Sequence, residues 1–301
     1  MAHFRIVAML TNPRAGRGRA TLAAQLAKKE LLKYGIDIVD ISGSTAEHSR
    51  ALAGEAVRDP KIDALVVCGG DGLINLALQE TVGTDAVLGI IPGGTGNDHA
   101  RELGIPLDPV RAARIVAQGH VESMDAGKMT TDDGQIRYFG TIACAGFDAL
   151  VTDRTNAIPW PTGRLRYNLA IVIEFVRFHS MPLRLIIDDK IVYDRDATLI
   201  AVGNTRTYGG GMLITPLADR NDGVFDITVV DKISRLTAMR KVGDFMGGKL
   251  EKHREAHRFQ GAKVRVEIQG SGAYADGEPF FDSPFVCEIL PRAARFLVPR
   301  S

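Results

Sequence analysis

The segment Val66-Val67-Cys68-Gly69-Gly70-Asp71-Gly72-Leu73-Ile74-Asn75 passes from an apolar strand pattern, through glycines and a carboxylate, straight into a helical pattern. A strand joined to a helix by so short a turn is the building unit of an open α/β sheet. The same grammar recurs on both sides of it. Phe4–Leu10 is an apolar run that ends in Asn12-Pro13-Arg14-Ala15-Gly16, and Ala20–Tyr34 then reads as a helix, with Leu22, Leu26 and Leu31 recurring at roughly helical spacing. Ile36–Ile41 reads as a strand, Glu47–Val57 as a helix, Ile62–Val67 as the strand entering the central turn, and Leu73–Gln79 as the helix leaving it. Val87–Ile91 is a further strand, entering Pro92-Gly93-Gly94-Thr95-Gly96-Asn97-Asp98. Buried strands alternating with helices predict a parallel sheet covered on both faces. Ligands of such sheets bind beyond the carboxyl ends of the strands, so the glycine-bearing loops are expected to meet at one edge.

After Val121 the pattern changes. Strand-like runs dominate: Arg137–Ala143, Leu183–Ile187, Ala197–Val202, Val224–Val230, Lys263–Gln269 and Phe285–Leu290, many bounded by Gly, Asp, Asn or Pro. Helices are expected only near Arg164–Phe178 and Ser234–Phe245. The chain therefore divides into an α/β domain over residues 1–125, a larger, β-rich, mostly antiparallel domain over 126–290, and a tail over 291–301 free to return to the first domain. The tail follows a strand pattern directly and reads as native sequence. With 301 residues, 45% hydrophobic and 24% charged, the chain can bury a core without staples. Cys68, Cys144 and Cys287 are too few and too scattered for a disulfide framework or a metal knot and read as small buried hydrophobes. Lys and Arg number 37 against 36 Asp and Glu, which argues against a general nucleic-acid binder. No secretory leader opens the sequence and no run is apolar enough to span a bilayer, so a cytoplasmic protein is expected.

The glycine turns carry the chemistry. Glycines allow left-handed backbone and let a polyphosphate approach the main chain, and a helix start offers free N–H groups to phosphate. Asp71 stands where it could hold Mg²⁺, although as a plain helix cap it would look the same. In the second turn Thr95 and Asn97 can reach phosphate or ribose, and Asp98 can cap the helix or contact substrate. Asp125 lies near the domain junction. Asp219-Arg220-Asn221-Asp222-Gly223-Val224 concentrates carboxylates and carbonyls suited to a hard cation, and Asp276-Gly277-Glu278-Pro279 sets a glutamate on a turn between strands. Each of these acidic stretches alone reads more often as a solvated turn. Gly243–Leu250 nearly spells a P-loop, but Leu250 replaces the required Ser or Thr. His253 and His257 share a helical spacing without the glutamate of a zincin, and a solvated helix end is the expectation there.

Taken together, these residues resemble the diacylglycerol kinase catalytic family, which includes bacterial lipid kinases, sphingosine kinases and ceramide kinases. The matches run in order along nearly the whole chain: Asn12-Pro13 with Gly16; Gly69-Gly70-Asp71-Gly72 with Asn75; Gly94-Thr95-Gly96-Asn97-Asp98 with Ala100-Arg101; Asp222-Gly223-Val224-Phe225-Asp226; and Asp276-Gly277-Glu278. The resemblance implies a phosphofructokinase-like α/β domain, a β-rich second domain, and ATP with Mg²⁺ as cofactors. It implies nucleotide contacts at Asn12, Pro13, Arg14, Ala15, Gly16, Gly69, Gly70, Asp71, Gly72, Leu73, Ile74, Asn75 and Thr95, and more loosely at Ser42, for which Thr45 competes. Asp71 and Asp125 are implied as members of an acidic active-site network, Glu278 as general base, and Asp222 with the carbonyls of Asp219 and Val224 as a structural Mg²⁺ site. Leu73 and Leu76 depart from the family, which usually has Thr and Glu there.

The implied activity is transfer of the γ-phosphate of ATP to a lipid hydroxyl, with diacylglycerol as acceptor and phosphatidic acid as product, placing the chain in phospholipid biosynthesis. A soluble-substrate kinase resembling NAD kinases, which share the Gly-Gly-Asp-Gly turn, is the alternative. A non-catalytic lipid-binding regulator is another, against which the intact Asp71 and Glu278 argue. The implied partner is a lipid at a membrane surface, met peripherally and transiently by a monomer or homodimer. The stretch Ile158–Tyr167, with the single Trp160 beside Arg164 and Arg166, is a candidate for that surface, and a core tryptophan is its competing reading.

Overall fold

A computed structural model of the chain describes residues 4–12, 19–146, 180–234, 237, 240, 241, 244, 247, 249 and 252–300. The expected helix Arg164–Phe178, the Ile158–Tyr167 surface, loop residues Pro13 to Gly16 and most of the P-loop-like Gly243–Leu250 lie outside the described residues. Of the helix expected over Ser234–Phe245, Thr237, Arg240, Lys241 and Asp244 are described as helical. The chain forms two compact units: residues Met1–Ala126 with Pro291–Ser301, and residues Gly127–Leu290.

The first unit runs β1 (Ile6–Thr11), α1 (Arg19–Lys33), β2 (Asp37–Ser42), α2 (Ala46–Arg58), β3 (Ala64–Gly69), α3 (Asp71–Thr81), β4 (Val87–Pro92), α4 (Asp98–Glu102) and α5 (Pro109–Gln118), and then enters β5 (Val121–Thr131). The second continues with β6 (Ile136–Phe139), β7 (Ile142–Gly146), β8 (Met181–Ile187), β9 (Lys190–Gly203), β10 (Thr207–Tyr208), β11 (Met212–Leu213), β12 (Phe225–Asp231), β13 (Ala256–Gly261), β14 (Lys263–Ile268), β15 (Gly272–Ala275), β16 (Glu278–Asp282) and β17 (Phe285–Leu297), whose last residues belong to the first unit.

In the first unit β2, β1, β3, β4 and the end of β17 lie side by side, all parallel. β3 and β4 are buried along their whole length, as strands covered on both faces must be. The register pairs Thr11 with both Ser42 and Cys68, and Gly69 with Pro92, so the strands end level. The loops after β1, β2, β3 and β4 therefore leave from one edge. Helix α1 packs through Ala20, Ala23, Ala24, Ala27 and Leu31, while Leu22 and Leu26 face outward. Of the three spaced leucines only Leu31 is in the core; small alanines let this helix lie close on the sheet. Arg114 and Lys33 bond the buried Glu30 at 2.7 and 2.6 Å and hold its carboxyl below the usual range.

The second unit is built from antiparallel pairs in the order β16-β15-β7-β9-β8-β14-β17, with β12 between β9 and β13 and the end of β5 beside β6. Its core gathers Phe139 and Phe225, stacked at 5.7 Å, with Leu185, Ile227, Val266 and Phe285. Two expectations are corrected here. Arg137–Ala143 is not one strand: the chain breaks at Gly140-Thr141 between β6 and β7, where the Asp276 carboxylate takes both backbone N–H groups, at 3.0 and 2.8 Å. His257 is not on a solvated helix end: it sits in β13, opposite Val229 of β12, and its Nε2 meets Asp231 at 2.8 Å.

Candidate active site

In the first unit the loops after β3 and β4 are stitched together. Gly93 N–H donates to the Gly69 carbonyl at 2.8 Å. A Cβ on Gly94 would lie 2.4 Å from the Gly70 Cα, and one on Gly93 would lie 3.2 Å from the Ala20 Cα. These glycines are required by backbone-to-backbone contact. The expected left-handed backbone is not their reason: Gly69, Gly70, Gly93 and Gly94 all lack a positive φ. The left-handed residue of the second loop is Asn97, at φ 55. Its side chain braces the loop from within, with Oδ1 accepting from Gly94 N–H and Nδ2 donating to the Gly94 carbonyl, both at 3.0 Å.

Asp71 opens α3 directly after its cap, Gly70, which contributes no side-chain bond. The Leu73 N–H already bonds the Gly70 carbonyl at 3.0 Å, so the amides of Asp71 and Gly72 are the ones left to a ligand or water. Asp71 does not cap its own helix. Its Oδ1 accepts from the backbone N–H of His99 and meets His99 Nδ1, both at 3.1 Å. Burial drives the Asp71 pKa up, but the His99 ring bond, the His99 charge and the amides of His99 and Asp98 outweigh it, so the carboxyl lies below the usual aspartate range. An ionised, partly open carboxylate beside free helix amides and a glycine-walled cradle fits a Mg²⁺–polyphosphate, and Asp71 is the residue that would hold the cation.

The remaining candidates fall as follows. Asn12 follows β1 and Ser42 ends β2, both at the loop edge of the sheet. Thr45 is committed as the cap of α2, its side chain accepting from His48 N–H. Gly72 is half-buried and Thr95 is exposed. Leu73 folds back over Gly69, where a Cβ would meet it at 2.8 Å, and Ile74 is core. Asn75 is buried and its Oδ1 accepts from Gln79 Nε2 at 3.3 Å. Asp125 is buried on β5 and accepts the N–H of Arg292 at 2.7 Å.

In the second unit, Asp276-Gly277 form a two-residue hairpin turn with φ of 53 and 80, as a type I′ turn requires. Ala275 pairs with Glu278, which is exposed at the start of β16. In the Asp219–Val224 loop, Asp222 Oδ1 accepts from Val224 N–H at 3.1 Å and Asp219 Oδ1 from Asn221 N–H at 3.0 Å. The donors on offer are carboxylate and carbonyl oxygens only, which suits a hard cation. Among the described residues no group of three or more His, Cys, Asp and Glu side chains offers a metal site. Burial pushes the Cys68 thiol up to about 12 and raises Cys287 as well, so neither is a nucleophile at neutral pH. The signal the sequence reading missed is His99, which stands inside the second loop motif and grips Asp71.

Comparisons with known proteins agree with this picture. Residues 7–129 match the family described as the diacylglycerol kinase catalytic domain, and residues 141–298 the YegS C-terminal NAD kinase beta sandwich-like domain. The chain is 44% identical to a diacylglycerol kinase of Mycobacterium tuberculosis (strain CDC 1551 / Oshkosh) over 297 residues, 98% of this chain and 95% of that one. A crystal structure of a diacylglycerol kinase from Bacillus anthracis str. Sterne superposes with a TM-score of 0.76 at 21% identity, covering 99% and 98% of the two chains. An NAD kinase from Archaeoglobus fulgidus in complex with ATP follows at 0.55 and 14%, covering 97% and 93%; these two likenesses speak to fold.

Proposed function

The chain belongs to the diacylglycerol kinase family, and from that premise we propose that it transfers the γ-phosphate of ATP to the hydroxyl of a membrane lipid, with diacylglycerol as the acceptor. The observation that carries this reading is the pair of interlocked glycine loops with the ionised Asp71 between them. Their backbone amides cradle the phosphates, with Thr95, Asn12 and Ser42 at the same sheet edge. Mg²⁺ bound with ATP would supply charge neutralisation on the phosphates, and Asp71 would hold it; a second, structural ion would fit Asp222 with the carbonyls of Asp219 and Val224.

The lipid oxygen attacks the γ-phosphorus as the bond to the β-bridging oxygen breaks and ADP leaves. Glu278 takes the proton of the hydroxyl, a contribution typically of about 10²–10⁴-fold, and Asp125 completes the acidic network. Phosphoryl transfer needs positioning and charge stabilisation above all, which suits rigid, mutually braced loops. The lipid lies in a membrane, and among the described residues no helix is long and apolar enough to cross one. The proposed acceptor would be met at the membrane surface.

Incubating the purified protein with labelled ATP and a panel of diacylglycerol, sphingoid bases, glycolipids, NAD and sugars tests the proposal. Label in phosphatidic acid is the expected result. Label in NAD would favour the soluble-substrate reading, which the fold likeness to an ATP-bound NAD kinase keeps in view. No labelled product from any acceptor would leave a non-catalytic lipid binder.

A further inference from the structure

Two of the hydrogen bonds on Asp71 come from one residue, and that residue is walled in. The His99 side chain is 0% exposed, so its ring has no solvent-side freedom. Its backbone N–H and its Nδ1 both reach the same carboxylate oxygen, at 3.1 Å each. The start of α4 that carries it is fixed in turn by the Asn97–Gly94 bonds and by the Gly93-to-Gly69 bond between the loops. An aspartate in the first turn of a helix has several staggered rotamers to choose from; here one oxygen is tied to the second loop and the choice is removed.

We propose that His99 is a positioning residue: it donates from Nδ1 to Asp71 and holds that carboxylate in the one orientation that serves the phosphate-bound cation. The inference rests on the reading of Asp71 as part of the phosphate site. The buried ring is not filler, since a carboxylate would not lie 3.1 Å from an unprotonated ring nitrogen without repulsion. The histidine thus couples the two loops through a functional group rather than through packing alone.

The test compares His99→Asn with His99→Gln. An asparagine amide falls near the place of Nδ1, and a glutamine amide near that of Nε2, so only the first restores the bond. For each variant kcat and KM for lipid are measured, with the Mg²⁺ concentration that half-saturates binding of a fluorescent ATP analogue. Loss of such a supporting partner typically costs about 10–100-fold in metal affinity or activity. His99→Gln is expected to lose kcat and to need more Mg²⁺ by about that factor, with KM for lipid unchanged, while His99→Asn stays within about threefold of wild type. Equal behaviour of the two variants, whether both active or both impaired, overturns the proposal. Nitrogen-15 NMR of the wild-type ring gives a check that needs no variant to fold: Nδ1 is expected to be protonated, and a ring protonated on Nε2 alone overturns the proposal. Asp71→Asn separates the two layers. If it keeps wild-type turnover, the role of Asp71 and the role of His99 fall together; if it is inactive while His99→Gln and His99→Asn are alike, the His99 role alone falls.

Discussion

Asp276 shows how much a single carboxylate can organise. It is buried, its φ is 53, and its oxygens accept from Gly140 N–H, Thr141 N–H and Thr141 Oγ1 at 3.0, 2.8 and 2.6 Å. It closes the gap between β6 and β7 and at the same time sets the turn that begins β16 at Glu278. Replacement by Ala strands those donors and places a Cβ-bearing residue without a compensating bond in the left-handed region. The expected cost is about 3 kcal/mol, or roughly 6–12 °C in melting temperature. Asp276→Asn, which tolerates that φ and keeps one acceptor oxygen, is expected to lose about half as much; a melting temperature for Asp276→Ala within about 2 °C of wild type would contradict this account. Asp231 makes a different prediction, about pH. Burial pushes its carboxyl up, but hydrogen bonds from His257 and Tyr193 and the charges of His257 and Arg195 outweigh burial and hold it below the usual aspartate range. A depressed carboxyl stabilises the fold fully above its unfolded pKa, and that contribution vanishes as pH falls through the folded value. Asp231→Asn should therefore melt lower than wild type at pH 7, with the gap closing below about pH 4. Parallel melting curves across that range would show that the His257–Asp231–Tyr193 contact contributes nothing. The same network raises the Tyr193 hydroxyl, through burial first and then its bond to Asp231, so Tyr193 stays a donor throughout.

At the scale of elements, the join between the β3 and β4 loops is the least forgiving feature. Gly94→Ala puts a methyl 2.4 Å from the Gly70 Cα, a distance only backbone movement can relieve. Nucleotide affinity is expected to fall by about tenfold or more, since loops that cradle phosphate must keep their geometry, while secondary structure by circular dichroism stays near normal. Unchanged ATP binding in a folded Gly94→Ala protein would detach these loops from the nucleotide. The turn was legible in the sequence because strand, glycines and helix lie within Val66–Asn75; what the glycines touch was not, since Gly70 and Gly94 are far apart in the chain. The parallel strands could be read from continuous apolar runs such as that of β3. The inner face of α1 could not, because alanines with Leu31 do the burying while Leu22, Leu26 and Leu32 are exposed. The strand β13 was missed for a related reason. Its residues, Ala-His-Arg-Phe-Gln-Gly, are only partly buried, so no apolar alternation marks them, and its identity comes from pairing with β12. His99 went unnoticed because its partner, Asp71, is 28 residues away, a separation that spacing rules on one helix or one strand do not cover.

At the scale of the whole molecule, the residues assigned to ATP and the residue assigned to the acceptor proton belong to different units. Asp71, Thr95 and the glycine loops lie within Met1–Ala126, and Glu278 lies within Gly127–Leu290. If each unit does one part of the reaction, a change in the second should separate binding from chemistry. Glu278→Gln keeps the size of the side chain and removes its basicity, and Glu278 stands on an exposed hairpin end where the substitution leaves the core untouched. The affinity for ATP should therefore remain at the wild-type value. The single-turnover rate of transfer to lipid should fall by about 10²-fold or more, the usual worth of a positioned base. The competing account is that Glu278 only opens a strand and that Asp71 organises the chemistry unaided. Under that account Glu278→Gln turns over within a few-fold of wild type, and Asp71→Asn alone is silent. Measuring ATP affinity and the single-turnover rate on both variants separates the two: normal binding with a lost rate in Glu278→Gln assigns the proton to the second unit, and a near-normal rate returns all of the chemistry to the first.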